Sequence, residues 1–96
     1  MKSDPYAVRH NVSKQRFELG QGEDLAVVTY VKEDGRVFFD HTYVPDQFRG
    51  AGVGATLVRA ALEEARQQGW KIVPSCWFVA KFIQRNPGFA DLLAGH

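Results

Sequence analysis

The stretch Val44-Pro45-Asp46-Gln47-Phe48-Arg49-Gly50-Ala51-Gly52-Val53-Gly54 divides the chain into two halves with different periods. Before it, side chains alternate as in strands; after it, they recur as in helices. Leu25 to Lys32 is rich in β-branched and aromatic residues, which fit a pleated sheet. Arg16 to Leu19 predicts a shorter strand, set off by a flexible Gly20-Gln21-Gly22 break. Asp34-Gly35 predicts a hairpin turn, because both residues tolerate the positive φ angles such turns need. The strand that follows, Arg36 to about Val44, alternates Val37, Phe39, His41 and Tyr43 on one face with Phe38, Asp40, Thr42 and Val44 on the other. Large apolar groups on both faces predict a central strand covered on both sides. Pro45 lacks an amide donor and stops the ladder.

Downstream of the loop, Val53, Leu57, Ala61 and Ala65 fall on one helical stripe, with Val58 and Leu62 beside it. Gly69 is placed to end this helix in a left-handed conformation. Trp70 to Val73 predicts a return strand. Ser75 reads as the N-cap of a second helix from Cys76 to about Arg85, stopped by Asn86-Pro87-Gly88. Phe89 to Ala94 adds a last helical turn. The pattern is an antiparallel hairpin feeding a strand-loop-helix-strand-helix unit, an α+β sandwich in one domain spanning residues 1–96.

Composition excludes several classes. The 96 residues suffice for one modest core. With 12 basic and 11 acidic residues, net charge is +1, and no basic stripe of the kind that binds nucleic acid is present. The single cysteine excludes an internal disulfide and fits a reducing, cytoplasmic setting. No apolar run reaches bilayer length, and Met1 to Arg9 carries no signal core. The histidines His10, His41 and His96 and the lone Cys76 have no metal-ligand spacing, so no metal is expected.

Three alternating glycines, an arginine ahead of them and an amphipathic helix behind form an anion site in outline. Glycine lets backbone amides approach an anion closely, and a helix N-terminus adds unpaired N–H groups and partial positive charge. A dinucleotide fingerprint would need G-x-G-x-x-G with an acidic residue about twenty positions on, and a Walker loop would need Gly-Lys-Ser/Thr. The chain has Gly54-Ala55-Thr56 and no such acid, which weakens both nucleotide readings.

The spacing Arg49-x-x-Gly52-x-Gly54 resembles the coenzyme A pyrophosphate loop of the GNAT acyltransferases. The lead-in Val44-Pro45-x-x-Phe48-Arg49-Gly50 and the Leu57-Val58 pair in the next helix are similar too. The likeness runs from about Val37 to Phe89 and is nearest to small single-domain members with a Pro-Ser-Cys motif. It implies a minimal GNAT-like fold, mainly antiparallel, and an acetyl-coenzyme A-dependent transfer to an amine acceptor. It further implies that cofactor contacts come from Tyr43, Val44, Phe48, Arg49, Gly50, Ala51, Gly52, Val53, Gly54 and Ala55, with pantetheine lying where the strand near Val44 splays from its neighbour.

Many family members place a tyrosine in the last helix to protonate the departing thiolate; here no tyrosine follows Tyr43. Two residues stand in as catalytic candidates. Cys76 begins a helix, where dipole and free amides favour a thiolate, and could accept the acetyl group or protonate the leaving thiol. His41, with an ordinary pKa of about 6.5, could take the ammonium proton; the alternative is a core histidine beside Phe39. Lys81 and Arg85, one turn apart, read either as a solvated face or as partners for the nucleotide's phosphates. A second function remains open at this point, a non-catalytic coenzyme A or acyl-coenzyme A binding module. Either a monomer or a homodimer is compatible with the sequence.

Overall fold

The computed structural model describes residues 7–48 and 50–95. Five strands form one sheet in sequence order: β1 (Arg9–Asn11), β2 (Arg16–Gln21), β3 (Asp24–Glu33), β4 (Arg36–Tyr43) and β5 (Lys71–Pro74). All neighbours pair antiparallel except β4 and β5, which run parallel across the connection made by α1 (Val53–Gln68). Helix α2 (Trp77–Arg85) and a 3₁₀ segment at Pro87–Leu92 complete the chain. A parallel pair demands a long crossover, and the sixteen residues of α1 supply it.

The hairpin at Asp34-Gly35 forms as expected, with φ of 54° and 74°. Helix α1 ends on Gly69 at φ 71°, whose N–H meets the Arg66 carbonyl. The Gly20-Gln21-Gly22 segment is no break. Strand β2 runs on through Gln21, which pairs with Asp24 across a tight turn. Gly20 sits at φ 111°, where a Cβ would lie 2.2 Å from the Asp24 carbonyl oxygen, so only glycine lets the strand pass there. Strand β1 has no alternation to announce it. It is held by its partners instead: the His10 ring stacks on Phe17 at 4.2 Å and its Nε2 lies 2.6 Å from the Tyr30 hydroxyl.

One face of the sheet carries both helices. Phe17, Leu19, Val28, Tyr30, Phe39 and Ile72 are buried there against Leu57, Val58, Leu62 and Val79. The opposite face carries neither helix, and Val31 and Tyr43 are 41% and 52% exposed on it. Strand β4 lies inside the sheet, between β3 and β5, but it is the fourth of five rather than the middle strand, and only its inner face is covered; Asp40 and His41 stand exposed. Among the described residues the outer face has one buried charge, Glu18, which accepts hydrogen bonds from Arg16 Nε at 2.6 Å and Asn11 Nδ2 at 3.0 Å. Burial alone would raise its carboxyl pKa; these hydrogen bonds, with the charges of Arg16 and Arg9, outweigh that and hold it below the ordinary carboxylate range.

Candidate functional site

The site begins with an irregularity in β4. Thr29 pairs with His41, yet the next residue, Tyr30, pairs with Phe39, so Asp40 is an extra residue without a partner in the ladder. A bulge of this kind turns the side chains beyond it to the other face. Val37 and Phe39 point inward, and so does Thr42, opposite buried Val28. His41 and Tyr43 point outward. The expectation that His41 shares a face with Val37 and Phe39 is thus corrected: strict alternation ignores the bulge, which Asp40 marks by accepting the Thr29 hydroxyl at 2.5 Å.

The bulge coincides with the end of the parallel pairing. Strands β4 and β5 pair from Arg36↔Lys71 to Phe39↔Pro74 and no further. Pro74 has no N–H to continue the ladder, and the chain turns away into α2. The Cys76 N–H donates to the Phe39 carbonyl at 2.8 Å, closing the end of the paired region. Beyond it, the edge of β4 from Asp40 to Tyr43 faces a gap instead of a strand. Cys76 sits at that gap. It is the N-cap of α2, one position earlier in the helix than the sequence implies, and Ser75 precedes the cap. Its Sγ lies 3.3 Å from the Thr42 hydroxyl, so strand and helix meet through this pair. Cys76 is half-buried and not disulfide-bonded.

From the gap a groove of about 510 Å³ runs to the first turn of α1. Thr42 and Val44 line it on the strand side and Gly52 to Ala55 on the helix side, and Phe48 and Phe78 add two aromatic rings to the lining. Gly50 and Gly52 adopt φ of 85° and 72° with open space where a Cβ would be, so their requirement is conformational. Gly52 is the N-cap of α1 and offers no side chain to the first-turn amides. Those amides and the helix dipole make the end of α1 suited to a negative charge. Gly54 serves a different purpose: a Cβ there would stand 2.7 Å from Phe78 Cζ, so its bareness lets α2 pack on α1. Gly54→Ala should displace Phe78 and cost about 1–3 kcal/mol, read as a lower denaturation midpoint.

Most expected cofactor residues converge here. Val44, Phe48, Gly50, Gly52, Val53, Gly54 and Ala55 line the groove. Ala51 is exposed in the turn, its N–H donated to Phe48 O at 3.2 Å, and Arg49 lies outside the described residues. Tyr43 points away from the groove. Two lining residues escaped the sequence reading. Thr42 is hidden by the bulge, and Phe78 belongs to no motif that marks it in the sequence. Among the described residues no group of three metal-ligating side chains exists, and no helix is long and apolar enough to cross a membrane.

A family model described as GCN5-related N-acetyl-transferase matches residues 16–92, which holds the whole site. The chain belongs to this family. Its relatives include protein NATD1 of Gallus gallus, 33% identical over 86 residues that cover 86% of this chain and 78% of that one. Protein NATD1 of Homo sapiens is likewise 33% identical over 86 residues, covering 76% of its own length. The solution structure of a GCN5-like protein from Staphylococcus aureus matches with a TM-score of 0.76 at 29% identity, covering 98% of this chain and 93% of the other. For a member of the GCN5-related family, the mostly antiparallel α+β sheet is the expected frame. Family and fold together point to acetyl transfer in general.

Proposed function

We propose that this protein transfers an acetyl group from acetyl-coenzyme A to an amine. The observation that carries the proposal is the continuity of one groove, from the open edge of β4 past Phe39 to the bare first turn of α1. Pantetheine is a chain with two amides and fits an unpaired strand edge. The pyrophosphate fits the Arg49 to Gly54 loop, where backbone amides and the dipole of α1 attract it. The thioester then lies near Thr42 and Cys76. The acceptor approaches from the outer face, where His41 is exposed and serves as base.

In the reaction the amine nitrogen attacks the thioester carbonyl, the new C–N bond forms and the C–S bond breaks. The amine loses one proton and the departing thiolate gains one. Cys76 attends the sulfur, either as its proton donor or as a transient acetyl acceptor. Holding donor and acceptor together supplies much of the acceleration. The lone thiol suits a reducing, cytoplasmic setting.

A second reading is a coenzyme A-binding module without transfer. The bare outer face favours it, since neither helix walls an acceptor pocket there, and no tyrosine follows Tyr43. Thiol release from acetyl-coenzyme A, followed with a panel of peptide, polyamine and aminoglycoside acceptors, separates the two. Release that depends on an acceptor, with acetylated product seen by mass, is expected. Tight binding with no acceptor-dependent release would leave only the module.

A further inference from the structure

The main chain of Cys76 is tied on both sides. Its N–H donates to the Phe39 carbonyl at 2.8 Å, and its own carbonyl accepts the Ala80 N–H at 3.0 Å. What stays free is one torsion, χ1, whose staggered wells aim the sulfur in different directions. A thiol that serves a thioester in the groove must keep to one of them. The helix does not make that choice. Cys76 stands at the N-cap in an extended conformation, φ −81° and ψ 130°, where no preceding helical turn restricts the side chain.

Thr42 makes it. Its backbone pairs with Val28 in the ladder of β3 and β4, and its branched Cβ stiffens its own χ1. The hydroxyl is therefore a fixed point, half-buried on the wall of the groove and 3.3 Å from Cys76 Sγ. The bulge at Asp40 is what brings it there; in strict alternation from Phe39, Thr42 would stand on the outer face. A threonine hydroxyl accepts from a neutral thiol and donates to a thiolate, so it partners the sulfur in either state.

We infer that Thr42 is a positioning residue that acts through Cys76, holding the sulfur toward the groove and giving its ionised form a hydrogen bond. The inference rests on the acetyl-transfer reading and adds to that reaction a residue outside the glycine loop. Valine copies the shape of threonine and suits a strand, so Thr42→Val removes the hydroxyl and little else.

The test is a double-mutant cycle, with circular dichroism checking the fold of each variant. Thr42→Val should lower kcat by roughly tenfold, the size of one well-placed hydrogen bond, and leave KM for acetyl-coenzyme A within about twofold. Thr42→Ser keeps the hydroxyl and should stay within about threefold of the wild type. In the Cys76→Ala background, Thr42→Val should cost nothing more, because the group it serves is gone. A further loss of similar size in that background, or equal losses in Thr42→Ser and Thr42→Val, would overturn the inference. If the wild type binds acetyl-coenzyme A without transferring it, the acetyl-transfer reading falls by itself. In that case, or where Cys76→Ala is too slow for the cycle to be read, alkylation decides the role of Thr42. Cys76 is the only cysteine of the chain, so iodoacetamide uptake at one fixed pH reports on it alone. Thr42→Val should react several-fold more slowly than the wild type, since the thiolate loses a donor. An equal rate, or the faster one that a merely loosened side chain gives, ends the inference.

Discussion

Cys76→Ala should lower acetyl transfer by roughly a hundredfold or more, the usual size of a lost proton-transfer or nucleophilic group, while coenzyme A affinity changes by less than about threefold. The side chain touches the strand through Thr42 at 3.3 Å and adds little to the core, so a binding defect is not expected. Cys76→Ser sharpens the point. The hydroxyl keeps a hydrogen-bonding partner for Thr42 but is a far poorer acid and nucleophile than the thiol, so transfer should stay low. If Ser restored activity, the role of Cys76 would be to position Thr42. Wild-type rates in both variants would reduce the residue to packing. Intact-mass analysis of the wild type with acetyl-coenzyme A tells the two chemical roles apart, since only a nucleophile accumulates as the acetyl-thioester.

Phe39→Ala should cost about 3–5 kcal/mol, a large part of the roughly 5–15 kcal/mol that stabilises a domain of this kind. Phe39 is fully buried and its ring lies 6.0 Å from Tyr30 and 6.4 Å from Phe17. It also lines the space where Val58 of α1 and Val79 of α2 meet the sheet. The loss would reach the site as well, because the Phe39 carbonyl anchors the Cys76 N–H and marks where β4 and β5 part. Urea denaturation should show the reduced midpoint. Phe39→Leu, which keeps most of the volume, should cost less than about half as much. A change below 1 kcal/mol in the alanine variant would mean that the core does not depend on this ring as described.

Much of this was legible in the residues. The switch of period at Val44 to Gly54, the Asp34-Gly35 turn, the apolar stripe of α1 and the Gly69 cap each follow from local chemistry, and each appears where expected. The glycine loop pointed to the groove for the same reason, since positive φ at Gly50 and Gly52 is a local demand. What escaped was set by contacts distant in sequence. The bulge at Asp40 arises from pairing with β3, and nothing in Phe39-Asp40-His41-Thr42 signals that alternation breaks there. It moved His41 to the outer face and brought Thr42 to Cys76. The bareness of Gly54 looked like a phosphate requirement until Phe78 was seen above it. Strand β1 escaped because its three polar residues pair through backbone and aromatic neighbours, without a period of their own.

The central claim is that the groove from Thr42 to Ala55 holds acetyl-coenzyme A, and an amide NMR titration of the labelled protein tests it most directly. The account predicts shifts at Thr42, Val44, Gly50 to Ala55 and Phe78, with a further change at Cys76 that coenzyme A ligands produce and ATP does not. Undisturbed loop amides at millimolar acetyl-coenzyme A would contradict it, and the glycines would then be only the turn between a strand and a helix.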